Sequence, residues 1–362
     1  MNLITIVGAR PQFIKAAAVH AALHGAGIDE RVLHTGQHYD DNMSDVFFRE
    51  LGIPEPHWNL GIGGGSHGAM TGAQLAGIEA VLIQERPDAL LVYGDTNSTL
   101  AGALAAAKLH IPVAHVEAGL RSFNRRMPEE INRVLTDHAS RWLFAPTETA
   151  VANLRQEGVN EADVRLVGDV MYDAALHFAS VAVARSTRSV TFATLAGRPY
   201  VLATVHRAEN TDEPERLRAI VQALIALADE VDVVWPVHPR TRSVLAKLGL
   251  DVGATKGLHC TEPFGYLDMI EMEQSAQMVI TDSGGVQKEA FFFGRPCVTL
   301  RDETEWVELI EAGWNRLAPP TSAEALLKAF RAALGTSGQA IEPYGHGDAA
   351  RRIAGILKGS AV

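Results

Sequence analysis

The sequence predicts an α/β protein made of two doubly wound, Rossmann-like domains that face each other across a cleft. Apolar strands alternate with helical patterns along the chain, and this alternation is typical of parallel sheets covered by helices. The two halves also resemble each other, because ALLVYGDTNSTLAGALAAAKLHIPVAHV and MVITDSGGVQKEAFFFGRPCVTL both run strand, Asp, turn, helix, loop and strand. A length of 362 residues suits two such domains better than a single core.

Domain boundaries follow from where the periodic pattern weakens and restarts. We expect an N-terminal domain over residues 1–175, a C-terminal domain over 176–345, and a helix within 346–362 that crosses back to the first domain. Residues 177–197 lose strong periodicity, so we interpret them as a linker or a peripheral helix.

Composition argues against several kinds of partner. The chain carries 32 basic and 43 acidic residues, a net charge of −11, whereas a surface that binds nucleic acid is basic. No apolar run approaches the roughly 18 residues of a membrane span, and the N-terminus lacks the basic start of a signal peptide, so we expect a cytoplasmic protein without membrane contact. Cys260 and Cys297 offer neither a metal-ligand spacing nor a disulfide framework, and we interpret both as buried thiols.

The first strand is predicted at Leu3–Val7 and the first helix at about Phe13–Leu23. The loop between them, GARPQ, is not the G-x-G-x-x-G of a dinucleotide site, and no acidic residue ends the next strand. Arg10 and Lys15 instead place two cations at the carboxyl edge of the first strand, where open α/β sheets bind ligands. Taken singly, each is also typical of a solvated surface charge.

Two more strands, Ala89–Tyr93 and Val113–Val116, are each followed closely by a carboxylate, Asp95 or Glu117. Because parallel strands end at the same edge of a sheet, we expect these two side chains on one edge. A helix cap is the alternative for Asp95. Glu117 precedes no clear helix, and we interpret it as functional.

The motif MPEEINR predicts the start of a helix, with proline and acids in its first turn. Glu129 and Arg133 are spaced i,i+4 and can pair, which would fix the direction of the carboxylate; a surface ion pair is the alternative. The other features predicted for this half are strands at Val32–His34, Trp142–Ala145 and Val164–Gly168, a helix at Glu148–Glu157, and a surface loop at Gly61–Gly68.

The second half repeats the pattern, with a strand at Tyr200–Thr204, a helix at Glu213–Ala228 and a strand at Val231–Val237. His206 follows the first of these strands and precedes an arginine. A His-Arg pair at a strand end is well placed to meet a pyrophosphate. His238 holds a comparable position, but we expect a structural role for it.

Strand, tight turn and helix follow one another in MVITDSGGVQKEAFFFG. The first amide groups of a helix have no partner inside it, so Ser283, Gly284 and Gly285 would present N–H donors to an anion, which favours a phosphate. Glu289 lies about one and a half turns further on, where its carboxylate can accept hydrogen bonds from the hydroxyls of a ribose. A plain glycine-rich turn is the alternative for this segment.

These motifs together resemble those of a known family, the non-hydrolysing UDP-N-acetylglucosamine 2-epimerases. The resemblance covers essentially the whole chain through GARPQFIK, YGDTNST, HVEAGLRS, MPEEINR, TVHRAEN and TDSGGVQKEA, in the family's order. It implies the two-domain glycosyltransferase-B fold and an enzyme that interconverts UDP-GlcNAc and UDP-ManNAc. The reaction that it implies is anti elimination of UDP followed by re-addition with inversion at C2, without a metal or nicotinamide cofactor.

The resemblance also implies roles for individual residues and an assembly into a homodimer. It implies that four residues act as acids or bases at C2 or assist the leaving group: Asp95, Glu117, Glu129 and His206. It implies that seven others bind the UDP-sugar or support those four: Arg10, Lys15, Arg133, Ser283, Gly284, Gly285 and Glu289. Which of the carboxylates is the base cannot be read from the sequence.

The sequence departs from the family pattern at two places. Many members have an arginine after Thr-Glu where this chain has Trp306, and the allosterically activated bacterial members have a glutamine where this chain has Tyr39-Asp40. The Thr-Glu-Trp version resembles the branch that epimerises UDP-2,3-diacetamido-2,3-dideoxyglucuronate. Because the catalytic groups match the broader family, we expect UDP-GlcNAc as the substrate, with that sugar acid as the alternative. We expect Trp306 to border the nucleotide-sugar cleft as a flat apolar surface. A glycosyltransferase of the same fold and an inactive nucleotide-sugar sensor are the rival interpretations.

Overall fold

The computed structural model describes residues 1–37, 55–185, 195, 197–253 and 255–360, apart from the side chain of Arg10. The chain divides into two compact units, one formed by Met1–His177 with Glu342–Val362 and the other by Phe178–Ile341. Tyr39 and Asp40, where the sequence departs from the regulated epimerases, lie outside the described residues. None of the described helices is long and apolar enough to cross a membrane.

The strands described in the first unit form a parallel sheet. They are β1 (Asn2–Val7), β2 (Asp29–His34), β3 (Trp58–Asn59), β4 (Ala89–Tyr93), β5 (Val113–Val116), β6 (Trp142–Ala145) and β7 (Val164–Leu166). Their order across the sheet is β3-β2-β1-β4-β5-β6-β7. The central strands are continuous runs of buried apolar residues, as a parallel sheet covered on both faces requires.

The second unit repeats this plan with its own parallel sheet. Its strands are β8 (Tyr200–Thr204), β9 (Asp232–Pro236), β10 (Leu258–Thr261), β11 (Met278–Thr281), β12 (Cys297–Thr299) and β13 (Asn315–Leu317). Their order is β10-β9-β8-β11-β12-β13, which is the arrangement of a doubly wound nucleotide-binding sheet. The two halves of the chain therefore share the same order of strands in their sheets.

Helices connect the strands and cover both sheets. They are α1 (Arg10–Gly25), α2 (His67–Glu85), α3 (Asn97–Lys108), α4 (Pro128–Ala139), α5 (Glu148–Gln156), α6 (Val170–Ala184), α7 (Ala208–Thr211), α8 (Pro214–Ala228), α9 (Pro239–Lys247), α10 (Tyr266–Ser275), α11 (Gly284–Phe292), α12 (Val307–Glu311), α13 (Ala323–Ala333) and α14 (Ala349–Gly359). A 3₁₀ turn lies at Glu161–Asp163.

Each sheet has a point where the strand order reverses direction. In the first unit this point lies between β1 and β4, and in the second it lies between β8 and β11. The connections from these strands run to opposite faces of the sheet, which leaves a crevice at the carboxyl ends of the strands. The loop that carries Asp95 lies at the first of these places, and the loops that carry His206 and Ser283 lie at the second.

Close packing of α3 on the first sheet holds its amino end against the reversal point. Gly102 faces the sheet, and a Cβ built there would lie 3.1 Å from Ile6 and 3.3 Å from Val92. Alanines dominate the rest of the helix, and nearly all of them are buried. Small residues therefore let α3 pack closely against β1 and β4. This packing fixes the amino end of α3, which follows Asp95 in the chain.

The C-terminal helix belongs to the first unit, where α14 packs against α1. Asp173 of α6 accepts hydrogen bonds from the backbone N–H groups of Ala349 (3.2 Å) and Ala350 (3.1 Å) at the start of α14. Burial raises the pKa of Asp173 to about 6, although these two hydrogen bonds oppose the shift. A side chain of α6 thus satisfies amide groups that the helix itself leaves without partners.

The structure differs from the sequence expectations most at two helices, α1 and α2. Helix α1 begins at Arg10 rather than near residue 13, because Pro11 is tolerated in a first helical turn. Helix α2 occupies His67–Glu85, where the sequence analysis predicts no helix and assigns the first two residues to a surface loop. Helix α6 continues to Ala184, so the start of the segment interpreted as a linker or peripheral helix is helical.

Candidate active site

The carboxyl edge of the first sheet brings Lys15, Glu117 and Gly94 together. The ammonium group of Lys15 donates a hydrogen bond to Oε2 of Glu117. A Cβ built on Gly94 would lie 3.3 Å from that same oxygen and 3.5 Å from the Lys15 ammonium. The ion pair therefore lies directly over Gly94, which has no side chain. The backbone of Gly94 is in the left-handed region, at φ +62.

Asp95 lies at the same edge and is not a helix cap. The cap of α3 is Thr96, whose hydroxyl accepts the N–H of Thr99. The carboxylate of Asp95 instead pairs with the guanidinium of Arg133, and its backbone carbonyl accepts a hydrogen bond from Asn132 at 2.9 Å. The ligand-facing interpretation of Asp95 is thus the one that the local geometry favours.

Glu117 has an unusual backbone for a residue with a side chain. Its φ is +72, in the left-handed region, and its side chain is only 8% exposed. The backbone N–H groups of Glu117 and Ala118 both donate to the carbonyl of Phe144, each at 3.1 Å. Such strained residues occur where the surroundings impose the conformation, and they concentrate at functional sites.

The predicted pair between Glu129 and Arg133 is wrong. Arg133 pairs with Asp95 and, at 3.3 Å, with Glu130, while no ion pair joins the exposed Glu129 to Arg133. The spacing allows the predicted pair, but the helix face of Arg133 turns toward the edge of the sheet. Arg133 therefore orients Asp95 rather than Glu129.

Two buried residues that the sequence analysis did not single out hold the loops of this edge. Gln12 accepts the N–H of Gly8 (2.8 Å) and donates to the carbonyl of Tyr93 (2.8 Å), which ties the loop after β1 to the end of β4. Glu130 accepts the N–H groups of Ser122 (2.9 Å) and Phe123 (3.0 Å) in the loop before α4. Both lie inside the quoted motifs, but their contacts are long-range and cannot be read from spacing.

In the second unit, Asp282 joins the loops after β8 and β11. Its fully buried carboxylate accepts the backbone N–H groups of His206 (3.0 Å) and Arg207 (3.0 Å) and the side-chain amide of Asn210 (3.1 Å). The ring of His206 lies 3.2 Å from the same carboxylate and is 40% exposed. Asp282 therefore fixes the partly exposed His206 at the carboxyl edge of the second sheet.

At the start of α11, where the sequence predicts an anion site, one of the three expected N–H donors is already occupied. The N–H of Ser283 already donates to the hydroxyl of Thr281 at 2.9 Å, so this group is not a free donor. The N–H groups of Gly284 and Gly285 have no partner within the described residues. A guanidinium nitrogen of Arg207 lies 3.9 Å from the position of a Cβ on Gly284, which adds a cation beside these donors.

Trp306 is not the open apolar surface that the sequence predicts. Its indole is only 5% exposed, donates to the carbonyl of Gly284 at 3.0 Å, and lies beneath the ammonium group of Lys288 at 4.1 Å. The residue packs beneath the anion site and holds the backbone of its first glycine. Any effect of Trp306 on a ligand therefore passes through that backbone.

Glu289 is nearly buried and belongs to a small acidic cluster. The phenol of Tyr266 on α10 donates to its carboxylate at 3.1 Å. Glu273 lies seven residues after Tyr266, on the same face of α10, and is fully buried with no hydrogen-bond partner for either oxygen. Burial, and then the charge of Glu289, raises the pKa of Glu273 well above its usual value.

Glu273→Gln is expected to stabilise the protein increasingly as the pH rises. The raised pKa means that the folded protein binds this proton more tightly than the unfolded chain, whose ordinary value is 4.5. Wild-type stability therefore falls as the pH rises through the folded-state pKa, and the neutral amide removes that loss. Urea unfolding from about pH 5 to about pH 8 should show a growing advantage of about 1–3 kcal/mol for the variant. A constant difference across this range, or one matched by the exposed control Glu311→Gln, would contradict the account.

The residues expected to be structural behave accordingly. His238 caps α9, where its ring accepts the N–H of Arg240 at 3.2 Å. Cys297 is a buried free thiol whose pKa burial raises to about 12, and Cys260 is a half-buried one. Among the described residues, no group of three or more His, Cys, Asp or Glu side chains has the arrangement of a metal site.

Comparison with known proteins identifies the family of this chain. The family description "UDP-N-acetylglucosamine 2-epimerase" matches residues 21–358. The chain belongs to that family. This membership confirms the resemblance seen in the sequence and the predicted two-domain α/β fold of the glycosyltransferase-B type. It also disfavours the glycosyltransferase interpretation, which rested on the fold alone.

Two relatives show how close the similarity within this epimerase family is. A Pseudomonas aeruginosa protein named UDP-2,3-diacetamido-2,3-dideoxy-D-glucuronate 2-epimerase is 52% identical over 362 residues, covering 99% of both chains. The UDP-N-acetylglucosamine 2-epimerase of Methanocaldococcus jannaschii is 45% identical over 362 residues, again covering 99% of both. A crystal structure of the latter enzyme in complex with UDP-GlcNAc and UDP superimposes with a TM-score of 0.91 at 44% identity, over 99% of this chain and 100% of that one.

Proposed function

We propose that this epimerase inverts C2 of a UDP-linked acetamido sugar acid, UDP-2,3-diacetamido-2,3-dideoxyglucuronate. The observation that carries the proposal is the 52% identity, over 99% of both chains, with the Pseudomonas aeruginosa protein named for that substrate. The sequence analysis put UDP-GlcNAc first and this sugar acid second, and the comparisons favour the reverse order. UDP-GlcNAc is the second candidate, because the 44% identical Methanocaldococcus enzyme has been crystallised with it.

The proposed reaction breaks and re-forms the bond between C1 and UDP, and it removes and returns one proton at C2. A base removes the proton from C2, the bond between C1 and the UDP oxygen breaks, and the electron pair forms a double bond between C1 and C2. UDP leaves as an anion and then adds back to C1, while a proton reaches C2 from the opposite face. The C2 hydrogen is weakly acidic, so the reaction needs a positioned base and strong stabilisation of the leaving anion.

The groups of the first unit suit the proton transfers. Glu117 and Asp95 are oriented by separate cations, Lys15 and Arg133, at one edge of the sheet. A carboxylate whose direction is fixed can accept or return a proton at a defined atom, which is what two-sided chemistry at C2 requires. Glu129 begins the neighbouring helix and is exposed, so it is proposed as the third acid/base group.

The groups of the second unit suit the leaving anion. The free N–H groups of Gly284 and Gly285 and the positive end of α11 would bind the diphosphate, with the guanidinium of Arg207 beside them. His206, held by Asp282, would assist the departing phosphate. Glu289 is proposed to bind the uridine ribose, with one of its oxygens directed by the phenol of Tyr266.

A pair of arginines in the first unit supports the choice of a sugar acid. Arg125 and Arg126 are exposed in the loop that precedes Glu129, and their side chains form no ion pair with any described residue. The buried carboxylate of Glu130 holds the start of this loop through two backbone hydrogen bonds. Unpaired cations on an anchored loop next to a proposed acid/base group are suited to bind the carboxylate of a uronic acid.

Wild-type enzyme is expected to have a higher kcat/KM for the diacetamido sugar acid than for UDP-GlcNAc. The double variant Arg125→Gln/Arg126→Gln should lower kcat/KM for the acid by about 10-fold or more, because hydrogen bonds to a charged group are lost, and should leave UDP-GlcNAc nearly unaffected. Arg165→Gln, at an exposed arginine of β7, is the matched control. Equal or greater activity of the wild type on UDP-GlcNAc would make that sugar the substrate.

Two further expectations stay predictions. Arg10 starts α1 at the edge that carries Lys15, and it is proposed as an active-site cation, although its side chain lies outside the described part of the structure. The homodimer that the resemblance implies is likewise proposed, and the molar mass measured by light scattering decides it against the 39.0 kDa of one chain.

A further inference from the structure

A fully buried ionic cluster lies beneath the loops that carry Asp95 and Glu117. We refer to His115, Arg121 and Asp137 as the buried triad. Nδ1 of His115 lies 2.7 Å from Oδ1 of Asp137, and Arg121 lies 2.7 Å from Oδ2 of the same carboxylate. None of the three side chains is more than 1% exposed. Charges this deep in a protein are costly, so a set of them with good geometry indicates a function or a structural need.

Hydrogen bonds engage both oxygens of Asp137 and both ring nitrogens of His115. Oδ2 of Asp137 accepts the backbone N–H of Gly119 at 3.1 Å as well as the guanidinium of Arg121, so the carboxylate is an acceptor on both oxygens. Burial raises the pKa of Asp137, but the neighbouring charges and hydrogen bonds of His115 and Arg121 outweigh burial and lower it. Nε2 of His115 lies 2.7 Å from the carbonyl of Gly94, which can only accept. Each ring nitrogen of His115 therefore faces a hydrogen-bond acceptor.

The partners of the triad are the backbones of the two carboxylate-bearing turns. Gly94 directly precedes Asp95, and Gly119 follows Glu117 by two residues. Gly94, Glu117 and Gly119 all have left-handed backbones, with φ of +62, +72 and +82. The carboxylate of Asp137 holds one turn directly and the other through the ring of His115. Both turns are thus tied to one residue of α4.

We propose that His115 and Asp137 are positioning residues that hold Asp95 and Glu117 in register for proton transfer at C2. This inference rests on the proposed function, because it assigns catalytic roles to those two carboxylates. The triad does not reach the substrate and acts only through the turns that it holds. A displacement of about 1 Å at a reacting group is enough to lower the rate about 100-fold, so loss of either hydrogen bond of His115 should be visible in turnover.

Two substitutions separate the two contacts of the ring. In His115→Asn the amide nitrogen can take the place of Nδ1, which keeps the bond to Asp137 and loses the one to Gly94. In His115→Gln the amide nitrogen can take the place of Nε2, which keeps the bond to Gly94 and loses the one to Asp137. Both variants are expected to lower kcat by about 100-fold, with KM and UDP affinity changed by less than about 3-fold. His24→Gln, at an exposed histidine of α1, is the control and should match the wild type.

A split between kcat and binding distinguishes positioning from a merely structural role, which would reduce the active fraction and the amount of bound UDP together. If both variants turn over within about 3-fold of the wild type, the inference is wrong. If the wild type binds UDP but epimerises neither sugar, the proposed function fails instead.

A spectroscopic measurement tests the triad without turnover and without a variant that must fold well. In wild-type protein labelled with ¹⁵N-histidine, His115 is expected to show a hydrogen-bonded proton on each ring nitrogen, with its signals assigned by their absence in His115→Gln or by their coupling to buried protons. A neutral ring with one unprotonated nitrogen would overturn the inference, whatever the activity of the variants.

Discussion

Glu117→Gln is expected to lower kcat by at least about 100-fold and to leave UDP affinity unchanged, because a positioned acid or base contributes about that factor. The amide has nearly the same shape, so the strained backbone of Glu117 and the fold of the first unit should persist. What disappears is the group that can exchange a proton and its ion pair with Lys15. Steady-state epimerisation together with calorimetric titration of UDP measures both quantities in the same protein.

Asp95→Asn should behave in the same way, since Asp95 is held at the same edge by Arg133. Glu161→Gln, at an exposed glutamate of the 3₁₀ turn before β7, changes a charge in the same unit at the opposite end of the strands and is the control. Turnover of Glu117→Gln and Asp95→Asn within about 3-fold of the wild type would remove both residues from the site.

Gly284→Pro is expected to weaken UDP binding by about 10-fold or more, because it removes one hydrogen-bond donor to a charged diphosphate. Gly284 is the first residue of α11, a position where proline fits a helix. Ser283 before it has φ −83 and ψ 129, the extended conformation that a following proline requires. The helix should therefore remain, and the loss should appear in the Kd for UDP.

Gly284→Ala is the matched control for this substitution. It adds a similar Cβ, whose nearest neighbours are 3.8 and 3.9 Å away at ordinary contact distance, but it keeps the N–H donor. UDP binding by the alanine variant should stay within about 2-fold of the wild type, because no hydrogen bond is lost. Equal Kd values for the proline and alanine variants would show that the N–H of Gly284 does not bind the diphosphate.

The strands of this protein are readable from the sequence because each is a short, continuous run of buried apolar residues. Strands β4, β5, β6 and β8 have the predicted bounds, and the carboxylates that follow two of them do share one edge. Helix α2 was missed because its glycines lower helix propensity and its apolar periodicity is weak. Packing against α3 stabilises that helix, and such tertiary contacts are absent from a local pattern.

Individual side-chain partners are the part that the sequence does not determine. Spacing along α4 offered Glu129 as the partner of Arg133, but the sheet edge supplied Asp95, which lies 38 residues earlier. The N–H of Ser283 was predicted to be free and is occupied by a side chain two residues earlier. In both cases the fold supplies a partner that the local spacing does not indicate.

The buried triad shows the same limit at greater distance. His115 lies within the quoted motif HVEAGLRS, yet its role depends on Asp137, 22 residues later on a helix whose packing is set by the sheet. A histidine in the middle of a strand is more often an ordinary core residue than one that links two loops. Only the geometry around both of its ring nitrogens distinguishes the two.

The central claim is that this chain breaks and re-forms the C2–H bond of a UDP-sugar. Incubation in deuterated water with the diacetamido sugar acid, and separately with UDP-GlcNAc, followed by ¹H NMR tests it directly. The account predicts appearance of the C2 epimer with deuterium at C2, fastest for the sugar acid, and little of either in Glu117→Gln. Epimer that retains its original C2 proton, or no change in either sugar while UDP binds normally, would contradict it.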